Sequence, residues 1–382
     1  MRILLSTHLY PAPDDKSMVS DADALREFVA DWKRQGHEVT VLHAYLEKEQ
    51  GLMKAMEFFP RIRYSEGTVD GVPVYRARIR CVKSNARVRR DMMKRAAERF
   101  QEEIKPPYDL YLAHFPVICA GLVETIRSGA DPVGVLHTVD IQRLTHDLTE
   151  MPRGLSGLGF RSERIKRDFE RLMPFKGYTF VAPSGCPEAA AHQAPYRQGE
   201  LKILYAGKLI KRKQPDMLLR SCRALPNDVP WRLTIAGAGE MAGDLHRMVE
   251  EWGLADRVSL PGPLSHADAL RAMADNDVFS LPSYGETFGI SYLEAMSRGA
   301  VAVGSVGEGI DGIIVDGENG FLLDARDEKG LTALLTRLWN MDGAEWSRIV
   351  ENAYSTARRM SGGAMARAYL ENAVKAGEER EL

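Results

Sequence analysis

Short apolar runs recur along the chain, and longer stretches with helical periodicity separate them. Five runs in the first half are predicted as strands of one sheet: Ile3–Ser6, Val39–His43, Leu110–Ala113, Val133–His137 and Tyr178–Ala182. Six runs in the second half are predicted as strands of another: Leu201–Ala206, Arg232–Ala236, Val258–Leu260, Val278–Leu281, Val301–Gly304 and Gly320–Leu323. Such alternation is typical of parallel sheets that helices cover on both faces, so the pattern predicts an α/β fold. Ligands then bind at the carboxyl ends of the strands.

The length and one change in composition predict two domains. A chain of 382 residues is too long for one ordinary domain and suits two. Residues 183–198 are rich in Pro, Gly and Ala and follow the last strand of the first series. We therefore expect a first domain at 1–190 and a second at 199–360.

Composition argues against several classes of protein. The formal net charge is −2, so bulk charge does not indicate a nucleic-acid-binding protein. Cys81, Cys119, Cys186 and Cys222 lie far apart without metal-ligand spacing, which suits buried thiols in a reducing compartment. The first residues turn polar too soon for a signal peptide, and no run of 18 apolar residues occurs. We expect a cytoplasmic protein.

The most informative segment joins a strand to a helix at residues 277–298. The apolar run 277–281 ends at Pro282 and Gly285, and an amphipathic stretch begins near Gly289. Glu286 lies in the junction and Glu294 lies in the helix. Because the first amides of a helix are unsatisfied and favour anions, the junction is predicted to bind a phosphate group.

This segment, with Pro-Ser, then Glu, Phe-Gly and a second Glu in an Ala-Met helix, resembles the signature of retaining glycosyltransferase family 4 (glycosyl transferases group 1). The resemblance implies the GT-B fold, in which two Rossmann-like parallel-sheet domains face each other across a cleft. It also implies that Glu286 orients the donor hexose, that Glu294 binds the ribose hydroxyls, and that the amides at Phe288, Gly289 and Ile290 bind the diphosphate. The alternative is a cap at Glu286 and a solvated helix residue at Glu294.

The resemblance also concerns the last helix. In the family that helix crosses back to the N-terminal domain, which residues 361–382 would do here. An ordinary terminal helix is the alternative interpretation.

A basic loop follows the strand Leu201–Ala206. A diphosphate needs cations on a rigid element, and Lys208 and Lys213 are candidates. The loop is similar to the family's Gly-Arg…Lys-Gly phosphate-binding loop, with Lys208 in place of Arg and Gln214 in place of the second Gly. The alternative is a solvated basic loop.

Three further turns of the second half have family counterparts. The loop after Pro261-Gly262 is similar to one whose backbone contacts the nucleotide base, which implies that role for Leu264. Residues 237–239 read Gly-Ala-Gly, which we interpret as a tight turn and not as a dinucleotide fingerprint. Residues 307–309 read Gly-Glu-Gly where relatives have Gly-Gly-x-x-Glu, and we predict a flexible turn there.

Candidate acceptor chemistry lies in the first half. His137 ends a predicted strand and Asp140 follows, which resembles a family motif whose His lies beside the donor sugar. A neutral imidazole there can hydrogen-bond a sugar hydroxyl or stabilise developing charge. A purely structural histidine is the alternative. His114 is a second candidate of the same kind, and the loop 10–17 lacks the glycine pair of relatives.

Two basic segments, residues 76–95 and 159–176, suggest contact with anionic lipid. Phe160, Ile165, Phe169 and Leu172 recur in the second at near-helical spacing. Relatives with lipid-borne acceptors often use such surfaces. The alternative is a solvated face with ordinary core residues.

No metal or other cofactor is expected. The Asp-x-Asp sequences at 21–23 and 275–277 precede a helix and a strand, where such residues serve as caps and turns. In the family, lysines and helix amides take the place of a metal.

The resemblance implies transfer of a hexose from a UDP- or GDP-linked sugar to a hydroxyl of a glycan or lipid-linked acceptor, with retention at the anomeric carbon. The leaving diphosphate then takes the acceptor's proton, because no general-base carboxylate is evident. Two alternatives stay open: a sugar-nucleotide epimerase of related fold and a non-catalytic binding or scaffold protein.

Overall fold

A computed structural model describes residues 1–11, 19–46, 61–80, 86–187 and 199–378. The chain forms two compact units. Unit 1 comprises Met1–Ser184 and Gly362–Leu382, and unit 2 comprises Gly185–Ser361. The chain therefore leaves unit 1 once and returns to it once.

Unit 1 contains one eight-stranded sheet in the order β3-β4-β2-β1-β5-β6-β7-β8. All neighbouring strands are parallel except β3 and β4, which form an antiparallel hairpin. The strands are β1 Arg2–Thr7, β2 Glu38–Leu46, β3 Arg61–Val69, β4 Val72–Arg80, β5 Leu110–His114, β6 Pro132–Leu136, β7 Gly157–Phe160 and β8 Tyr178–Val181. Five of its helices are α1 Val19–Arg34, α2 Ala86–Glu103, α3 Ala120–Thr125, α4 Thr138–Leu144 and α5 Glu163–Leu172.

The central strands of unit 1 are apolar at nearly every position because both faces of the sheet are covered. In β1, Ile3 and Leu5 belong to one core cluster and Leu4 belongs to another. Successive side chains of a strand point to opposite faces, so one short run of sequence supplies both cores.

Three strands of unit 1 are not among the predicted ones. In β3 most residues are exposed, among them Arg61, Arg63 and Glu66, so no buried alternation marks this edge strand. Its partner β4 carries three arginines, which interrupt the apolar sequence pattern of its buried valines and alanine. The third strand, β7, has two glycines in four residues.

The apolar residues of the second basic segment do not form the lipid-facing surface that the sequence suggested. Phe160, Ile165 and Phe169 are buried in a core cluster beneath α4 and α5. These apolar side chains therefore do not face a lipid surface, and the near-helical spacing reflects burial of one face of α5.

Unit 2 contains a six-stranded, wholly parallel sheet in the order β11-β10-β9-β12-β13-β14. The strands are β9 Leu201–Ala206, β10 Trp231–Ala236, β11 Val258–Gly262, β12 Val278–Ser280, β13 Val301–Ser305 and β14 Phe321–Leu323. The helices are α6 Pro215–Arg223, α7 Ala242–Glu251, α8 His266–Asp275, α9 Ile290–Met296, α10 Glu328–Asn340 and α11 Gly343–Arg359. All six strands predicted for the second half are present.

The strand order reverses between β9 and β12, which are neighbours at the centre of this sheet. Loops that leave the carboxyl ends of two such strands diverge to opposite sides and open a crevice between them. The loops 207–214 and 281–289 are these two loops.

The last helix, α12 Gly362–Glu378, packs on unit 1. Ala366, Tyr369 and Leu370 join a core cluster with residues of α1 and β1, and the indole N–H of Trp32 donates to the carbonyl of Ala366 at 3.0 Å. Within the described ranges, no helix is long and apolar enough to cross a bilayer.

Candidate functional site

The two loops at the reversal of strand order in unit 2 are joined by their backbones. The amide of Tyr284 donates to the carbonyl of Arg212 at 2.9 Å, and the guanidinium of Arg212 lies 3.5 Å from the carbonyl of Gly285. These contacts bring the side chains of Lys213 and Glu286 together.

Lys213 and Glu286 form an ion pair between Nζ and Oε2, with side chains only 12% and 14% exposed. The Ser283 hydroxyl donates to the same carboxylate oxygen at 3.3 Å. Burial acts to raise the pKa of Glu286, but Lys213, Arg212 and Ser283 together hold it below its ordinary value. Glu286 is therefore a carboxylate at neutral pH.

Gln214 connects three segments around this pair. It caps α6 with φ 48° and ψ 48°, a left-handed conformation that a glycine adopts without steric cost. Its side-chain amide donates to the carbonyl of Pro282 at 2.5 Å and to that of Ala325. At this position the chain uses a strained residue whose side chain holds the neighbouring loops.

The Gly-Glu-Gly turn at 307–309 holds the peptide of Glu286. The carboxylate of Glu308 accepts from the Glu286 amide at 2.7 Å, and the Gly309 amide donates to the Glu286 carbonyl at 3.2 Å. A Cβ on Gly309 would lie 2.5 Å from the Cα of Phe288, so only glycine fits this approach. The turn is packed rather than flexible, and no local sequence pattern predicts the contact made by Glu308.

The helix α9 begins beside the ion pair. Gly289 caps it with φ 82°, and a Cβ there would lie 2.6 Å from the ring of Tyr292. The Tyr292 hydroxyl donates to the carbonyl of Leu281 at the end of β12. Phe288 is buried, and Gly289 and Ile290 are partly exposed. The first amides of a helix have no intrahelical acceptor, so this end of α9 offers donors to an anion.

Glu294 is buried on α9 and is only 8% exposed. Its carboxylate lies 2.8 Å from Nε2 of His266, the first residue of α8, which is largely exposed. The glutamate is therefore not a solvated helix residue. His266 was not among the predicted site residues because nothing in the sequence relates it to a glutamate 28 positions away.

Lys208 and Leu264 occupy less buried positions. Lys208 is exposed, and its carbonyl accepts from the hydroxyl of Tyr205 at 2.8 Å. Leu264 is partly exposed and lies in the loop between β11 and α8.

The Gly-Ala-Gly segment forms a tight turn that supports the loop of Lys208. The amide of Leu209 donates to the carbonyl of Ala238 at 2.9 Å, and the amide of Met241 donates to that of Leu209 at 3.0 Å. Gly237 touches Gly207 so closely that any side chain at this position would overlap the backbone.

In unit 1, His137 caps α4. Its amide donates to the carboxylate of Asp140 at 2.9 Å, and its ring stacks on Phe115 with centroids 3.7 Å apart. Its Nε2 lies 3.1 Å from Nδ1 of His114. Burial, His114 and Arg161 hold the pKa of His137 well below its ordinary value, so the imidazole is neutral. The structure thus joins the two histidines that the sequence proposed separately.

Other predicted features have structural contacts or lie outside the described residues. Asp277 accepts from the amide of Lys202 at 2.8 Å and joins β12 to β9. The structure does not describe residues 12–18, 81–85 or 188–198, so most of the loop 10–17, part of the basic segment 76–95 and most of the domain boundary lie outside it. The side chains of Asp21 and Asp23 lie outside it as well.

Comparison with protein families identifies the domain that carries most of these residues. The sequence profile described as glycosyl transferases group 1 matches residues 188–356. Over this stretch, just under half of its length, the chain is similar to the glycosyl transferases group 1 family. This stretch includes Lys208, Lys213, Glu286 and Glu294.

Among curated proteins, this chain is similar to two called D-inositol 3-phosphate glycosyltransferase. The protein of Stackebrandtia nassauensis is 30% identical over 171 residues, which cover 42% of this chain and 38% of that protein. That of Xylanimonas cellulosilytica is 30% identical over 185 residues, which cover 47% and 43%. The chain spans less than half the length of these relatives.

Among solved structures, the chain is similar in fold to the Anabaena protein HepE in complex with UDP and glucose. The TM-score is 0.68 at 18% identity, over 97% of this chain and 98% of that one. Sucrose-phosphate synthase from Thermosynechococcus elongatus gives a TM-score of 0.71 at 18% identity, over 97% of both chains. The fold is GT-B, with two Rossmann-like parallel-sheet units.

Proposed function

We propose that this protein is a retaining glycosyltransferase that moves a hexose from a UDP- or GDP-linked sugar to a hydroxyl of a glycan or lipid-linked acceptor. The observation that carries the proposal is the buried ion pair of Lys213 and Glu286. It lies where the strand order of unit 2 reverses, inside the stretch that is similar to the glycosyl transferases group 1 family. Few structural roles require a buried carboxylate and a cation at such a crevice, whereas a sugar linked to a diphosphate needs both.

In this proposal each group of the site has one part of the donor to bind. Lys208, Lys213 and the amides at Phe288, Gly289 and Ile290 bind the diphosphate, which favours cations and helix amides. Glu286 accepts hydrogen bonds from hexose hydroxyls, and Glu294 accepts them from the ribose. The backbone at Leu264 contacts the base.

Donor binding then gives Lys213 and Glu286 new partners. In the structure, Nζ of Lys213 neutralises Glu286. When a diphosphate arrives, the ammonium gains a doubly charged partner and the carboxylate turns to sugar hydroxyls. The pair therefore keeps both groups charged and in place before the donor binds, which reduces the reorganisation needed.

The proposed chemistry breaks the bond between the anomeric carbon and the diphosphate oxygen. Negative charge builds on that oxygen, where Lys208, Lys213 and the amides of residues 288–290 stabilise it. The acceptor oxygen bonds to the anomeric carbon on the same face, and its proton passes to the departing diphosphate. His137 hydrogen-bonds the sugar. No step involves a metal or a cofactor, so we expect a chelator to leave the rate unchanged.

The names of similar proteins support the proposed donor and the proposed acceptor. HepE was solved with UDP and glucose, which favours a uridine nucleotide and a hexose. The curated relatives are glycosyltransferases of an inositol phosphate, an acceptor that carries hydroxyls and an anionic group.

The test measures nucleotide release from UDP-glucose and GDP-mannose with and without a panel of glycan and lipid-linked acceptors. We expect one nucleotide to raise the melting temperature and its sugar to release nucleotide only with an acceptor. A Glu286→Gln variant should bind nucleotide but lose most of the transfer. An epimerase would instead convert the sugar without acceptor, and a scaffold would release nothing with any donor. Either result would contradict the proposal.

We also propose a peripheral contact with anionic lipid through basic side chains of residues 76–95 and 159–176 other than Arg76, Arg89 and Arg161, which are buried. The support is charge alone, because the apolar residues Phe160, Ile165 and Phe169 of the second segment are buried as well. We therefore expect weak binding to phosphatidylserine vesicles at low salt that disappears at physiological salt. A protein that ignores such vesicles at low salt would contradict this contact.

A further inference from the structure

The hairpin of β3 and β4 carries an arginine cluster on one face, made up of Arg61, Arg63, Arg78 and Arg80. The antiparallel register places Arg61 opposite Arg80 and, two positions along, Arg63 opposite Arg78. Side chains two positions apart in a strand point to the same face, so the two pairs are neighbours. Together they line a cavity of about 90 Å³. Guanidinium groups around one cavity are suited to bind an oxyanion.

This arrangement opposes the stability of the hairpin. Directly opposite side chains of an antiparallel pair have Cβ atoms about 5 Å apart, and like charges there repel each other. Arg78 and Arg80 are half-buried, which reduces the screening of this repulsion by water. Glu66, the one acidic residue of the two strands, points to the other face. An anionic ligand would offset the repulsion.

The arginines also have contacts within the chain. Arg61, Arg78 and Arg80 each interact with other groups of the protein. A guanidinium has several N–H donors in a planar fork, so it can hold an internal partner and a ligand at the same time.

The cluster lies at the edge of the sheet where the candidate acceptor residues are. β4 is parallel to β2, and β2, β1, β5 and β6 are parallel in turn, so their carboxyl ends share one edge. Across β2, Arg76 is level with Thr7, the last residue of β1. Arg78 and Arg80 lie beyond that level, at the edge where His137 follows β6.

Arg76 connects the hairpin to the loop after β1. It lies on the same face of β4 as Arg78 and Arg80, and it is buried. Its guanidinium donates to the carbonyl of Pro11 at 3.0 Å. The row of arginines therefore begins beside the first loop of the carboxyl edge and extends outward to the edge strand β3.

The width of the sheet sets the length of a ligand that reaches both the cluster and His137. The order β4-β2-β1-β5-β6 places four strand spacings between β4 and β6. At about 4.8 Å for each spacing, the separation is about 19 Å. A single sugar phosphate is shorter than this, whereas an oligosaccharide that carries an anionic group can span it.

We propose that the arginine cluster binds an anionic group, of the phosphate, sulfate or carboxylate class, on an extended glycan acceptor. The role of this glycan as acceptor rests on the proposed function, in which a hydroxyl is glycosylated beside His137. The anion belongs either to the glycan itself or to a phosphate that joins the glycan to a lipid, and both present the same oxygens to the guanidinium groups. The acceptor is therefore longer than a single sugar phosphate.

The binding experiment titrates the full chain with inorganic pyrophosphate in a calorimeter. Lys213→Met removes the donor site, which also favours pyrophosphate, and leaves the cluster intact. In that background we expect Arg63→Gln to weaken binding about tenfold and Arg63→Gln with Arg78→Gln about a hundredfold, because charge-assisted contacts are lost. Arg153→Gln, at an exposed arginine of unit 1 outside the hairpin, is the control and should bind like its parent. Unchanged affinity in both hairpin variants, or no binding before they are made, would overturn the site.

Urea unfolding checks that these variants lose a ligand contact and not the fold. Arg63 is exposed and lies opposite a like charge, so Arg63→Gln should unfold at the same urea concentration as its parent or at a higher one. A lower midpoint would show that this arginine stabilises the hairpin, and it would contradict the proposal.

Phosphatidylserine vesicles separate the cluster from the lipid contact proposed above. We expect the double variant to lose far more pyrophosphate binding than vesicle binding at low salt, because other basic side chains of unit 1 also attract the vesicle. Lost vesicle binding with unchanged pyrophosphate affinity would assign the arginines to a lipid surface and overturn the site.

The acceptor experiment uses the transfer reaction once a donor is known. We expect the double variant to raise the KM of a long phosphorylated oligosaccharide at least tenfold, with kcat and the donor KM unchanged, and to leave the KM of a single sugar phosphate as it was. An uncharged oligosaccharide joined to lipid through phosphate shows which source supplies the anion. Equal effects on long and short acceptors would contradict the extended acceptor. If no transfer occurs with any substrate, the proposed function fails, and the pyrophosphate titration still decides whether the cluster binds an anion.

Discussion

At the scale of single residues, donor binding as proposed depends on the interaction between Lys213 and Glu286. Each is mostly buried, and burial alone would favour the neutral form of Glu286. The ion pair reverses this preference for Glu286, whose pKa lies below its ordinary value. The site therefore keeps two opposite charges in one crevice without a ligand.

Lys213→Met should raise the pKa of Glu286, because burial remains while the main neighbouring cation is lost. Removing one partner of a mostly buried pair should also lower the free energy of unfolding by about 2–3 kcal/mol. Urea unfolding of Lys213→Met, Glu286→Gln and the double variant measures the loss of unfolding free energy. Its pH dependence in Lys213→Met reports the change in the pKa of Glu286. The double variant should recover part of the loss, and strictly additive effects would show that the two side chains do not interact.

The same pair predicts how stability depends on pH. A carboxyl group with a lowered pKa in the folded state stabilises the fold above the ordinary pKa of glutamate and loses that contribution as the pH falls below it. The difference in unfolding free energy between the wild type and Glu286→Gln should therefore shrink between pH 5 and pH 3, a window set by the ordinary value of about 4.3. A difference that grows in this range would contradict the assigned shift.

Gln214 provides a residue-scale test of the left-handed cap. Gln214→Gly relieves backbone strain and loses two side-chain hydrogen bonds, whereas Gln214→Ala loses the bonds and keeps the strain. We expect the alanine variant to be less stable than the glycine variant by about 1 kcal/mol in urea unfolding. Equal stabilities would show that the conformation at this position carries no cost.

The sequence was enough to single out Glu286, Glu294 and Lys213 as candidates, because strand, turn and helix signals surround them within a few positions. It could not find Glu308 or His266. Glu308 accepts from a backbone amide 22 positions away, and His266, an exposed histidine, contacts a glutamate 28 positions away. Such partners depend on tertiary packing and have no local pattern.

At the scale of elements, the turn 307–309 positions the loop that carries Glu286. Gly309→Ala would push Cβ into the backbone of Thr287 and Phe288 and displace that loop. We expect roughly tenfold weaker nucleotide binding, about 1.4 kcal/mol, in calorimetric titration. Gly243→Ala is the control, because no atom lies within 4 Å of its Cβ, and it should bind nucleotide normally. Unchanged nucleotide binding by Gly309→Ala would show that this turn does not position the loop that carries Glu286.

Strand prediction succeeded where a strand reads as an apolar run and failed where it does not. The central strands of unit 2, β9, β12 and β13, are largely buried and read as such runs. The edge strand β3 is exposed along most of its length, and β7 is rich in glycine, so neither has an apolar run to detect. The periodic apolar residues near β7 were visible, but periodicity alone does not distinguish a core face from a lipid-facing one.

At the scale of the whole molecule, α12 is far from the rest of unit 1 in sequence and belongs to its core. A chain that ends at Ser361 loses Ala366, Tyr369, Leu370, Ala373 and Ala376, all of which are buried. We expect such a chain to lose hydrogen-exchange protection throughout unit 1 while unit 2 keeps its own, since each unit has a separate core. A chain that ends at Glu378 is the control and should be protected like the full chain. Intact protection of unit 1 without α12 would contradict this division.

We propose above all that unit 2 binds a nucleotide diphosphate sugar at the crevice between the loops 207–214 and 281–289. The sharpest test is a crystal structure of the full chain soaked with UDP or GDP. We predict phosphates at Lys213 and the first amides of α9, with the ribose at Glu294 in place of His266. A nucleotide bound far from both loops, with the pair of Lys213 and Glu286 undisturbed, would contradict the account.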